Sequence, residues 1–93
     1  MTDLSGTDEG PDIVHEGPVP IYVQVVDYVA ARIQSGEWRP GHRLPAECDL
    51  AERWGVAYLT IRKAMSELRE RRLIVSVQGR GTYVIEPSYE PEG

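Results

Sequence analysis

Residues 45–82 constrain this chain most, because their apolar pattern changes character twice within forty positions. Leu50, Ala51 and Trp54 mark the inner face of a short helix, with Glu47 and Asp49 in its first turn, where the helix dipole favours acids. Gly55-Val56 breaks that helix. Ile61, Ala64, Met65 and Leu68 then recur at helical spacing and leave Arg62, Lys63 and Glu67 on other faces. Residues 74–77 and 83–85 read as two short strands, joined by Gln78-Gly79-Arg80-Gly81 as a tight hairpin.

A further helix is expected ahead of this unit, over 21–35. Tyr22, Val25, Val29 and Ile33 form its stripe with Val26 beside it, Pro20 stands at its start, and Gly36 follows its end. Trp38, Pro40 and Gly41 signal a turn, and Arg43-Leu44 reads as a brief strand. The helices of the central unit are expected over 46–54 and 58–71. The α+β fold that this order implies is a winged helix-turn-helix: three helices followed by a two-stranded antiparallel wing. Such a unit commonly places its second helix, the third of the chain, in a DNA groove.

The net charge of −5 speaks against DNA until its distribution is examined. All ten Lys and Arg fall within 20–87, against eight acids there. Residues 1–19 and 88–93 hold the other seven acids and no bases, and read as disordered acidic tails flanking one domain over 20–87. Residues 53–80 carry seven bases and two acids. Local field, rather than total charge, decides whether phosphate is attracted. A domain of that size buries only about 60% of its unfolded surface, so its stability is expected to be modest.

Several functions find no support in the residues. The single Cys48 excludes an internal disulfide and suits a reducing compartment. No apolar run approaches the roughly 20 residues of a membrane span, and the acidic N-terminus lacks the apolar core of a signal peptide. His15, His42 and Cys48 make no zinc spacing. No nucleophile–base pair, phosphate-binding glycine loop or paired-carboxylate site is present, so neither a cofactor, a metal nor enzymatic activity is expected.

Read in order, Ile21-Tyr22-Val23-Gln24, Pro40-Gly41-His42-Arg43-Leu44-Pro45, Leu50-Ala51-Glu52-Arg53, Gly55-Val56, Thr60-Ile61-Arg62-Lys63-Ala64 and Gly79-Arg80-Gly81-Thr82-Tyr83-Val84 resemble the DNA-binding domain of the GntR family of bacterial transcription regulators. The resemblance covers nearly all of the expected domain. It implies that the third helix enters the major groove while the hairpin meets the minor groove or backbone. It also implies a repressor that binds a palindromic operator in double-stranded DNA as a homodimer, in the bacterial cytoplasm at the nucleoid. The family's usual C-terminal effector domain has no counterpart in the nine residues after Val84.

On this basis Tyr58, Thr60, Arg62 and Lys63 are the candidate contacts of the third helix. Gln78, Gly79, Arg80 and Thr82 are those of the wing, and Arg43 and Arg53 flank the backbone. For each the dull alternative is a solvated or structural role; for Arg62 it is an ion pair with Glu67 or a solvated side chain. Three positions depart from the family pattern: Ala57-Tyr58 replaces Ser-Arg, Cys48 replaces Arg, and Arg72 replaces Gly. The first two remove a bidentate guanine reader, each such contact being worth roughly 1–3 kcal/mol of discrimination. The third places Arg72 where a left-handed backbone is expected. A rival function follows from those losses: a protein-interaction module, acting as partner subunit or antirepressor, with little DNA affinity.

Overall fold

The computed structural model describes residues 10–85. Three helices form the body, α1 (Ile21–Gln34), α2 (Glu47–Trp54) and α3 (Tyr58–Glu70). Strand β1 (Arg43–Leu44) lies between α1 and α2, and β2 (Ile74–Val77) and β3 (Gly81–Val84) form the terminal hairpin. The wing expected as two strands is thus extended by β1, giving a three-stranded antiparallel sheet of order β1-β3-β2. β1 can join because β3 has a free edge, and it registers Arg43 on Tyr83 and Leu44 on Thr82.

One core ties these layers together. Val25, Val26, Val29 and Ala30 of α1, Leu50 and Trp54 of α2, and Ile61, Ala64, Met65 and Leu68 of α3 are all buried. From the sheet come Leu44, Ile74 and Val84, alternate positions that share one face by the two-residue period of a strand. Each large apolar side chain fully removed from water contributes roughly 1.5–3 kcal/mol. Val56, buried between α2 and α3, plugs the core beneath the turn. Trp38 and Trp54 are core residues, both edge-on to Tyr28.

The helix ends follow local chemistry. Gly55 takes the left-handed conformation (φ 65°) that closes α2 and turns the chain into α3. Ala57 is the N-cap of α3 and offers no side-chain cap, a deficit of roughly 1 kcal/mol against Ser or Thr. It ends in a Schellman motif: the Leu73 N–H donates to the Leu68 carbonyl at 3.1 Å and the Arg72 N–H to the Arg69 carbonyl at 3.0 Å. That motif forces Arg72 to φ 64°, and among the described residues it is the one non-glycine with positive φ.

The acidic segments expected at the ends lie, for residues 1–9 and 88–93, outside the described residues. Residues 10–19 are described and rest on the helical body, unlike a free tail. Gln24 acts as the hook: its amide oxygen accepts from the Val14 N–H at 2.8 Å, and its Nε2 donates to the carbonyls of Val14 and Val19, each at 2.9 Å. Ile13 packs against the core. Gly10 lies so close to the Trp54 indole that a Cβ there would overlap the ring.

Candidate nucleic-acid interface

The inward stripe of α3 decides what its other faces present. At 100° per residue, Tyr58, Arg62 and Arg69 fall on the flank nearest the start of α2, and Thr60 and Lys63 fall on the opposite flank. The contacts agree. On the first flank, Arg62 Nε stands 3.8 Å from one Glu47 oxygen and Arg69 approaches the other at 4.0 Å. The Arg62 guanidinium also lies 6.0 Å from the Tyr58 ring centre. On the second flank, Lys63 Nζ sits 4.4 Å above the Tyr22 ring, and Thr60 and Lys63 line an open groove with Ile21, Tyr22 and Leu59.

The ion pair expected as the dull alternative for Arg62, with Glu67, does not form. Residues five apart on a helix do not face each other, whereas Glu67 and Arg71, four apart, do, and they pair at 3.0 Å. The anion that Arg62 meets is Glu47, supplied by α2. Arg62 nonetheless remains mostly exposed, and an exposed pair at this distance is worth less than about 1 kcal/mol. A phosphate can therefore compete for its guanidinium.

A polar seam joins α3 to the wing. Arg69 donates to Ser76 Oγ at 3.0 Å, and Ser76 Oγ lies 3.4 Å from Thr82 Oγ1 on the neighbouring strand. With Glu47 on Arg69, the seam runs from α2 through α3 to β2 and β3. It places the Arg62 flank of α3 and the hairpin on one side of the molecule. It also occupies Thr82, which is half-buried and has Ser76 as a neighbour.

At the hairpin tip the Arg80 N–H donates to the Val77 carbonyl at 2.9 Å, closing a four-residue turn around Gly79 (φ 80°). Gln78, Gly79 and Arg80 are all exposed there. Gly81 (φ 128°) has a second constraint, since a Cβ at this residue would stand 2.9 Å from Arg43 Nε. Arg43 therefore lies beside the base of the hairpin, while Arg53 is exposed in the last turn of α2. The seam thus brings the Tyr58–Arg62 flank and the hairpin to one side, Arg43 lies at the base of the hairpin opposite Tyr83, and Thr60 and Lys63 stand across the ridge of α3.

On that ridge stands a residue that sequence reasoning passes over. Leu59 is 72% exposed, more than any other large apolar side chain among the described residues. Its helical position, midway between the two polar flanks and outside the inward stripe, is the signal that would have found it.

A three-helix body whose third helix is amphipathic and outwardly basic, with a glycine hairpin beside it, defines a winged helix-turn-helix DNA-binding domain. Residues 21–84 match the bacterial regulatory proteins of the gntR family, and the chain belongs to that family. It is 43% identical over 72 residues to a histidine utilization repressor of Pseudomonas aeruginosa, covering 77% of this chain and 29% of the repressor. It is 37% identical over 79 residues to the HTH-type transcriptional repressor NagR of Bacillus subtilis, covering 85% of this chain and 32% of NagR. The chain thus spans about three tenths of the length of these curated relatives. Among solved structures, the AraR DNA-binding domain in complex with operator ORX1 aligns with a TM-score of 0.71 at 35% identity, over 81% of this chain and 96% of that domain. No helix among the described residues is long and apolar enough to cross a membrane.

Proposed function

We propose that this chain is the DNA-reading part of a bacterial transcriptional repressor, acting in the cytoplasm at the nucleoid and carrying no enzymatic activity. α3 enters the major groove of a double-stranded operator. Tyr58 and Arg62 approach bases and backbone from one flank, and Thr60 and Lys63 reach the opposite strand's phosphates from the other. Arg80 at the hairpin tip enters the narrow minor groove, where negative potential is concentrated. Gln78 and the Gly79 backbone meet phosphate beside it, Thr82 holds the wing, and Arg43 and Arg53 flank the backbone.

The observation that carries this reading is the seam from Glu47 through Arg69 and Ser76 to Thr82, which sets the exposed Arg62 flank and the exposed Arg80 tip on one side. The repressor names of the relatives and the operator-bound AraR domain support it. One small module binds weakly, so two copies on a palindromic site are expected, separated by about one helical turn of DNA. Selection of genomic fragments by the purified chain at low salt, followed by sequencing and fluorescence anisotropy, tests the reading. A recurring inverted repeat bound with steep salt dependence is the expected result. A chain that retains no fragment, and instead holds a protein partner at fixed stoichiometry, would establish the rival interaction-module reading.

A further inference from the structure

Leu59 poses a physical question that the basic residues around it do not answer. An apolar side chain 72% exposed at the first turn of α3 loses the benefit of burial, and no described residue covers it. Its neighbours on both sides are hydrogen-bonding or cationic: Tyr58 and Arg62 on one flank, Thr60 and Lys63 on the other. An apolar ridge between two cationic rails fits a surface that is anionic at its rims and apolar at one point of its floor. The B-DNA major groove has that profile: phosphates line both edges, and the thymine C5-methyl is the one apolar landmark on its floor. Residues at the N-terminal end of a recognition helix are those that reach base edges.

We propose that Leu59 is a specificity-determining residue, and that it selects a thymine at one position of each half-site by covering its 5-methyl group. This rests on the DNA-binding reading given above. It supplies a source of base discrimination at a helix start where Tyr58 lacks the two-pronged grip of an arginine on guanine. Tyr58 and Arg62 position the helix from one side and Lys63 from the other, so the methyl contact is made at a defined depth.

The test is a cycle between protein and DNA. Each thymine of the selected operator is replaced singly by deoxyuridine, which keeps every hydrogen-bonding group and removes only the methyl. Binding of the full chain and of its Leu59→Ala variant is measured by fluorescence anisotropy. Covering one methyl is worth about a fourfold change in affinity. The expected result is a loss of about fourfold for the parent chain at one thymine per half-site, and no loss at that position for Leu59→Ala. The exposed site predicts that the variant keeps the parent's melting temperature, and a matched melt confirms that the comparison is made between folded proteins. Uracil tolerated everywhere by the parent, or penalised equally in both proteins, would overturn the role of Leu59 while leaving DNA binding intact. Failure of the parent chain to bind any duplex would refute the DNA-binding reading itself, and this proposal with it.

Discussion

Replacing Arg72 separately by Gly and by Ala isolates the backbone strain at the end of α3. Arg72 is exposed and held at φ 64° by the Schellman bonds to Leu68 and Arg69. A side chain in the left-handed region costs roughly 1–2 kcal/mol through its Cβ, which Ala retains and Gly lacks. Glycine's larger unfolded-state entropy offsets about 0.4–1 kcal/mol of that gain. Both variants lose the guanidinium near the helix C-terminus, so its favourable interaction with the helix dipole cancels between them. The net difference is about 1 kcal/mol in favour of Gly. For a domain of about 60–100 residues this corresponds to a melting temperature roughly 4–8 °C higher. Thermal unfolding followed by far-ultraviolet circular dichroism measures it. If Arg72→Gly melts at or below Arg72→Ala, the strain is not where the backbone places it, and the reasoning fails.

Three other perturbations probe the reading surface. Arg80→Ala should weaken binding to operator and random duplex alike, and reduce the slope of log K against log salt by about 0.9 for the one cationic charge withdrawn from the duplex, measured by anisotropy across a salt series. An unchanged slope would remove Arg80 from the interface. Glu47→Gln frees Arg62 and Arg69 from their shared carboxylate; it should tighten binding to random DNA at low salt and narrow the preference for operator, each lost pair costing less than about 1 kcal/mol of stability by chemical denaturation. Gly81→Ala puts a Cβ at a positive φ and pushes the flexible Arg43 side chain aside, so the backbone strain should destabilise the hairpin by roughly 1–3 kcal/mol, read as faster amide exchange at Thr82 and Tyr83 than in α3.

Most of the fold is legible in the chain because its helices bury single, clean stripes. Val25 and Val29, Leu50 and Trp54, and Ile61 through Leu68 are spaced as a 3.6-residue period demands, and Gly55 and Gly79 stand where the backbone needs positive φ. The left-handed bend at Arg72 follows from the family pattern, in which Gly fills that place. What stayed hidden depends on partners distant in sequence. Arg43-Leu44 reads as a brief strand, but its seat on the edge of β3, some 40 residues on, is not encoded in so short a pattern. Residues 10–19 look like a tail in composition, yet one glutamine side chain supplies the amide partners that hold Val14 and Val19.

The candidate site divides along the same line. The types and neighbourhood of Arg62, Lys63 and Arg80 are readable from charge and periodicity. That Glu47 rather than Glu67 faces Arg62 depends on how α2 crosses α3, which no local pattern encodes. Thr82 reads as a donor to phosphate in sequence, whereas folding sets its hydroxyl beside Ser76 within the seam. Leu59 lies outside the inward stripe of Ile61, Ala64, Met65 and Leu68, so its exposure is legible in the helical period once the outer face is read for apolar as well as charged residues.

Chemical protection on the selected operator tests the central claim most directly, because the two grooves carry different reactive atoms. With α3 in the major groove and the hairpin tip in the minor groove, methylation by dimethyl sulfate should be blocked at guanine N7 within each half-site and at adenine N3 just beside it. Arg80→Ala should restore the adenine signal alone. Blocked adenine N3 with fully reactive guanine N7 throughout the site would contradict the placement of α3, whatever the affinity.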